Sequence, residues 1–473
     1  MDVPVPTLGL EALSRQVRRE LDLLDYPRRP WLSPRSARSG ASILDVLVVG
    51  GGQSGLTTAF ALSRERVGNV LVVDQNGLDR AGPWLNFARM RTLRTPKYLT
   101  GPDLGIPSLT PRAYYEAQFG EGSWEGLGLI PKELWASYLA WYRQTLSIPV
   151  EAETRVGPLS WDEAERCFVV PCEGKAGLRS LLARRVVLAT GIDGSGEWRV
   201  PAAVKDALAP HLYAHTRDAI DFEALRGRRV AVLGAGASGF DNAATALEHG
   251  AAEVRLLLRR QKLVNVNAYR WAEFVGFLKH HADLPDAEKW RFISQILRMG
   301  QLPPADTLAR AQQQPGFFLH AGSGFKSLRE VDGVVEIATD SGVIRADFVI
   351  VATGFVTDLA ARPELSRVER HIARWSDRYA PPEAERNEDL LRHPYLGESF
   401  EFTERMPGEA PYLSYLYNYT FGGLLSMGFG GASISGLKYS AARLVSGITR
   451  SLFLEDSAQH YRSLCDFSET EFQ

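Results

Sequence analysis

Apolar and polar positions along the chain follow a pattern that occurs twice. From Ile43 to Leu62 the residues read ILDVLVVGGGQSGLTTAFAL: a β-branched apolar run, a glycine cluster, then an apolar, alanine-bearing stretch. That predicts strand, tight turn, helix. A second strand, NVLVVDQN, follows and ends at Asp74. The succession returns from Arg228 to Leu247 as RRVAVLGAGASGFDNAATAL, with EVRLLLRR as its second strand. Each half continues with a turn-rich section that predicts short antiparallel strands, at 150–183 and 325–346. Each then reaches an apolar strand ending in ATG, VVLATG at 186–191 and FVIVATGF at 348–355.

Two stretches stand outside the duplication. Residues 264–313 interrupt the second half with helical patterns. AYRWAEFVGFLKHH places Trp271, Phe274, Val275 and Leu278 on one face, and DAEKWRFISQILRM does the same with Trp290, Ile293 and Leu297 after a Pro285-Asp286 cap. Residues 1–40 carry an amphipathic pattern (Leu8, Leu10, Leu13, Val17, Leu21) and then YPRRPW, read as a helix and strap packing on the first domain or across a dimer. The expected fold class is α/β, with two Rossmann-like dinucleotide-binding domains in a glutathione-reductase-like arrangement and a helical insertion in the second. The boundaries are 1–40 for the helix and strap, 41–220 with 356–473 for the first domain, and 221–355 for the second, its insert at 264–313. A length of 473 residues suits two or three domains of about 150 residues.

Charge narrows the partners. Lys and Arg total 54 against 56 Asp and Glu, so no global field attracts nucleic acid or an anionic membrane. The longest uncharged run, Ala410–Leu437, holds six glycines and a proline and is too broken for a spanning helix. Three cysteines are too few for a disulfide scaffold, and their odd number suits a reducing, cytoplasmic setting. Cys167 and Cys172, five apart on a strand, fall on opposite faces and cannot form the redox pair of a disulfide reductase. His280-His281 are neighbours without metal-ligand spacing, and no metal is expected.

The glycines carry the chemistry. Gly50, Gly52 and Gly55, and again Gly234, Gly236 and Gly239, fall on G-x-G-x-x-G. The first makes the tight turn, the second admits a pyrophosphate, and the third packs helix on strand. The pyrophosphate then rests on the helix N-terminus, beside Gln53 and Ser54 in one copy and Ser238 in the other. Asp74, at the end of the second strand, suits ribose hydroxyls and repels a 2′-phosphate. Arg259 and Arg260 stand at the same place in the second copy and suit that phosphate, Arg259 being the preferred contact. The expected cofactors are FAD in the first half and NADPH in the second, with Thr190, Gly191, Thr353 and Gly354 of the ATG strands beside them.

With these motifs the chain resembles the two-dinucleotide, class B flavin-dependent monooxygenases over about residues 43–450. GGGQSGL and AGPW, the latter ending at Trp84, look like that family's first loop and G-x-W segment. IPKELWASYLAWY looks like its next helix, and DFVIVATGF like the signature of its N-hydroxylating branch. The F-x-G-x-x-x-H fingerprint of other branches keeps only His215, with Ala209 and His211 replacing the aromatic and the glycine. LRTPK replaces T-N-x-x-K, with Arg94 for the asparagine and Lys97 in the lysine position. The resemblance implies an NADPH-dependent enzyme that forms a flavin C4a-(hydro)peroxide and transfers one oxygen atom to a small-molecule nitrogen, sulfur or electron-rich carbon. Urate-type hydroxylation and Baeyer–Villiger oxidation are alternative outcomes. A flavoprotein reductase with a quinone or protein acceptor is the competing class. Arg94 and Lys97 are the expected catalytic cations near the flavin. Ser435 is expected where a C-terminal helix aims its N-terminus at the flavin. The partners are a small-molecule substrate and dioxygen, with residues 1–40 and the insert as plausible contacts in a homo-oligomer.

Overall fold

The computed structural model describes residues 8–24, 29–99 and 101–472. Its first sheet is built on the apolar runs. Val150–Glu151, Val70–Val73, Ser42–Val49 and Gly177–Leu188 lie side by side in parallel, and Leu416–Asn418 joins the far side of Gly177–Leu188. The last of these strands is long enough to serve twice. Its first half pairs antiparallel with Cys167–Gly174, and its second half runs in the parallel sheet up to the ATG. The second sheet is wholly parallel, in the order Tyr213–His215, Phe348–Val351, Arg229–Leu233, Glu253–Leu258, Phe317–Ala321. Phe325–Val331, Val334–Thr339 and Gly342–Ala346 form the predicted antiparallel section beside it.

The chain crosses between the two units twice, and the crossing strands pair with each other: Gly196–Trp198 lies antiparallel to Phe355–Thr357. This moves the first boundary from the expected residue 221 to about residue 199. Tyr213–His215 hydrogen-bonds in the second sheet, and Val204, Leu208 and Leu212 pack in the second core.

The N-terminal helix, Leu8–Leu23, lies on the first unit. Val17 is fully buried, with Leu10, Leu13 and Leu21 packed around it. Trp141 Nε1 donates to the Ser14 hydroxyl, and Ser108 bonds Glu20. Of the expected strap, residues 25–28 lie outside the described residues; Trp31 rests on the first unit, its Nε1 donating to the Glu65 carbonyl.

The insert departs from expectation. AYRWAEFVGFLKHH does not form one helix. It breaks between Ala268–Trp271 and Val275–His280 because Phe274 is extended (φ −124°, ψ 150°). Trp271, Phe274 and Val275 are therefore exposed, and Phe277 and Leu278 are the residues that go inside. The next helix, Asp286–Met299, buries Trp290 and Ile293 as predicted, together with Ile296. These side chains share a core with Trp375, Leu391, Leu424 and Phe429, so the insert packs on the C-terminal part of the first unit. Among the described residues no helix is long and apolar enough to cross a membrane.

Candidate active site

The two glycine loops have nearly the same geometry. Gly50 and Gly234 take φ of +112° and +115°, where a side chain would be strained. In each loop the first glycine lies against the alanine carbonyl of its own ATG strand, Ala189 or Ala352, leaving no room for a Cβ. A Cβ on Gly55 or Gly239 would overlap the carbonyl oxygen of Gly50 or Gly234, which explains the third glycine of each motif. The helices that follow, Gln53–Arg64 and Ala237–Glu248, have 12 residues each and begin at Gly52 and Gly236 without a side-chain cap. Their first N–H groups thus remain available to an anion.

The first loop and, from the second copy, the helix that follows its loop (Ser238, Asp241 and Asn242) line one cleft of about 2110 Å³; Gly234 and Gly236 lie outside its lining. A single small ligand fills about 300–1,000 Å³, so this space suits two nucleotides and a substrate. Gly50, Gly52, Gln53, Ser54, Asp74, Trp84, Arg94, Thr190, Gly191, Ser238 and Ser435 line it. Gly55 and Gly239 stand behind the loops as packing positions. Asp74 is buried and accepts from the Gly51 N–H at 2.7 Å and the Asn76 N–H at 2.8 Å. The Ser54 hydroxyl donates to the Gly431 carbonyl, tying the first helix to the C-terminal glycine segment. Ser435 lies in the turn before the C-terminal helix, which starts at Leu437. The Thr353 hydroxyl bonds the Arg199 carbonyl, and the Gly354 carbonyl accepts from Arg199 N–H and His215, so both residues hold the crossing.

The paired cations at each expected position separate. Arg259 is exposed and bonds no described residue. Arg260 donates to the carbonyls of Arg298 and Met299, at the C-terminal end of the insert's long helix. Arg94 lines the cleft, its guanidinium 2.8 Å from Asp241. Lys97 does not lie at the cleft. Its ammonium donates to the carbonyls of Trp124, Glu125 and Leu127 and sits over the Trp124 ring, so it anchors a neighbouring turn and is corrected to a structural role.

Sequence reasoning passed over the second helix's own polar residues. Asp241 and Asn242 are both buried, Asp241 accepting from Arg94 and from the Thr307 hydroxyl at 2.9 Å. An acid and an amide in an alanine-rich buried helix were the available signal. Tyr269 and Glu273 of the insert also line the cleft. Burial pushes the Tyr269 phenol up, partly opposed by Arg94, and pushes the Glu273 carboxyl up, partly opposed by Arg270.

A test of fit is whether the cleft leaves buried polar atoms without partners. It does: Trp84 Nε1, Arg94 Nε, Thr190 Oγ1 and Asn242 Oδ1 are buried, line the cleft and bond no described residue. Polar ligands along this path would satisfy them. Disulfide chemistry does not fit. Cys167 and Cys172 are free and buried in separate clusters, and burial pushes both thiols up to about 11.

Two matching glycine turns, each opening an uncapped helix that contributes residues to a shared cleft, define the dinucleotide-binding class of oxidoreductase fold. Residues 44–279 match the family model described as pyridine nucleotide-disulphide oxidoreductase. The chain is 41% identical to an FAD-dependent urate hydroxylase of Xanthomonas campestris pv. campestris over 465 residues, 98% of each chain. It belongs to this family of flavin-dependent monooxygenases. Its fold is shared with the reduced form of ornithine hydroxylase from Pseudomonas aeruginosa, at 14% identity and a TM-score of 0.66 over 87% of this chain and all of that one. It is equally shared with the Kutzneria ornithine N-hydroxylase, at 15% identity and a TM-score of 0.66 over 86% and 99%.

Proposed function

We propose that the protein is an FAD-containing, NADPH-dependent monooxygenase that hydroxylates urate or a closely related purine. The observation that carries this is the duplicated glycine turn whose two helices both reach one cleft, in a chain 41% identical to a urate hydroxylase along nearly its whole length. FAD, when bound, supplies hydride acceptance from NADPH and the activation of dioxygen.

The chain's own residues divide the rest. Gly50, Gly52 and the N–H groups at Gln53 and Ser54 would hold the FAD pyrophosphate, with Asp74 on its ribose. The orphaned Trp84 Nε1 and Thr190 hydroxyl would meet the same cofactor beside Gly191. Gly234, Gly236 and Ser238 would hold the NADPH pyrophosphate, and Arg259 its 2′-phosphate. Arg94, steadied by Asp241, would stabilise negative charge on the substrate side of the cleft. The insert closes one wall, where the Tyr269 ring stacks on Phe429 at 5.2 Å, and so limits water.

Holoenzyme given NADPH, isotopically labelled dioxygen and urate should oxidise NADPH and place one labelled oxygen atom in the purine product, read by mass spectrometry. NADPH oxidation sustained by a quinone, with no label in any purine, would sink this reading.

A further inference from the structure

The carboxylates that line the cleft can be taken one at a time. Asp74, Asp193, Asp218, Asp241, Asp306 and Glu364 each bond a group of the chain. Glu173 is exposed. Glu273 is different: its Oε2 is buried and has no hydrogen-bond partner among the described residues. The residue sits where the insert's helix breaks, its N–H bonded to the Arg270 carbonyl, between Ala268–Trp271 and Val275–His280. It lies just past the C-terminal end of the short helix that carries Tyr269. Both residues line the cleft.

We propose that Glu273 is a catalytic residue that accepts a proton from a ring N–H of the purine substrate as the oxygen atom is transferred. The assignment rests on the urate-hydroxylase reading above. In urate the electron-rich carbon is C5. Its C4=C5 π pair forms the new C5–O bond, the N9 lone pair forms C4=N9, and the N9–H proton passes to the Glu273 carboxylate. Dioxygen supplies the oxygen atom: its O–O bond breaks as the C5–O bond forms, its second atom leaves as water, and NADPH supplies the two electrons. A carboxylate left unpaired by the fold is free to take that proton. The groups that bear on it are few. Arg270 is its charged neighbour, Tyr269 lines the same cleft, and Arg94 acts on the Tyr269 phenol. Burial raises the Glu273 carboxyl, bringing it closer to the working pH of a general base.

The test uses FAD-loaded enzyme with urate, NADPH and dioxygen. E273Q should keep its flavin and still bind urate, read as the substrate-induced change in flavin absorbance. Its kcat should fall about 10²- to 10⁴-fold, and the acidic limb of its pH profile should disappear. E273D should restore that limb at a reduced kcat. Loss of flavin from E273Q, loss of urate binding, an undiminished kcat or an unchanged acidic limb each overturns the assignment. Wild-type enzyme that turns over no urate removes the substrate reading and this assignment together. Equal activity in wild type and E273Q removes the assignment alone.

Discussion

The two nucleotide cradles have almost the same backbone and different surroundings. Their helices are equal in length and start from glycines with matching dihedrals (φ −75° and −74°). What differs is the side chain at the end of the second strand, and how firmly the sheet beneath is anchored. The first cradle ends at a buried Asp74 and the second at an exposed Arg259. Under the first sheet Arg184 and Arg185 are completely buried, held by Asp45, Glu455 and Asp456, with Arg185 also over the Tyr415 ring at 4.0 Å. The second sheet has the half-exposed pair Arg229–Asp347 instead. The glycine device is thus generic for a pyrophosphate. The two copies differ in the side chain that ends the second strand and in the depth of burial beneath the sheet.

The largest expected effects come from the third glycines. In Gly55→Ala the methyl group overlaps the buried Gly50 carbonyl, and the expected product is protein without flavin. Gly239→Ala damages only the second cradle, so it should purify yellow, be bleached by dithionite and resist bleaching by NADPH. Flavin absorbance per polypeptide checks both. If Gly239→Ala is also colourless, the cradles are not independent and the comparison fails.

Next are the anchors. Burial pushes the Glu455 carboxyl up, but Arg185 and Arg184 outweigh it and hold it at about 2. A carboxyl lowered by folding contributes stability above its unfolded value near 4.5, and that contribution fades as the pH falls toward 2. Glu455→Gln leaves two buried guanidinium groups under-compensated and should cost about 3–5 kcal/mol in urea unfolding. Asp347→Asn breaks a surface pair and should cost about 1 kcal/mol or less. Equal losses would show that burial does not separate the two sheets.

A smaller effect concerns the wall of the first cradle. His281 Nε2 donates to the Leu425 carbonyl at 3.2 Å, and His393 Nδ1 to the Gly422 carbonyl at 3.1 Å. Each carbonyl can only accept, so each ring nitrogen carries the proton of a neutral imidazole. Burial lowers both from 6.5 to about 4. Their folded values lie below the unfolded ones, so the unfolded chain takes up protons first as the pH falls from 6.5 toward 4. Stability is therefore complete above 6.5 and declines through that window. The loss should reach about 2 kcal/mol for each histidine at pH 5. His393→Asn should remove its own share, about 2 kcal/mol, from the loss of stability between pH 7 and 5; an unchanged pH dependence of the urea midpoint would exclude this origin.

What could be read from the sequence follows from how local each constraint is. The loops were legible because a carbonyl within the same motif forbids a Cβ at Gly55 and Gly239. The ATG strands were legible because each lies against its own first glycine. Lys97 was misread because its three carbonyl partners belong to a turn about thirty residues away. Arg184 looks like surface charge in LARRVVL until Glu455, 271 residues later, folds onto it. Tyr213–His215 is too short a strand to show a period, so the domain boundary was set late. The break at Phe274 turned an apparent apolar helix face outward and brought Glu273 to the cleft.

The most limited change bears directly on what distinguishes the cradles. Arg260 has its own duty, closing the insert helix at Arg298 and Met299, whereas Arg259 has no partner among the described residues. A guanidinium on a phosphate contributes about 1.5–3 kcal/mol, a preference of roughly ten- to a hundredfold. In Arg259→Ala the ratio of kcat/KM for NADPH over NADH should therefore fall by about that factor, chiefly through KM for NADPH, with flavin content unchanged. Arg260→Ala should leave the ratio as it is and show only a modest loss of stability. If Arg260→Ala moves the ratio and Arg259→Ala does not, the insert helix gives up its cap when coenzyme binds. The position equivalent to Asp74 would then be one residue further along the second copy than the strands imply.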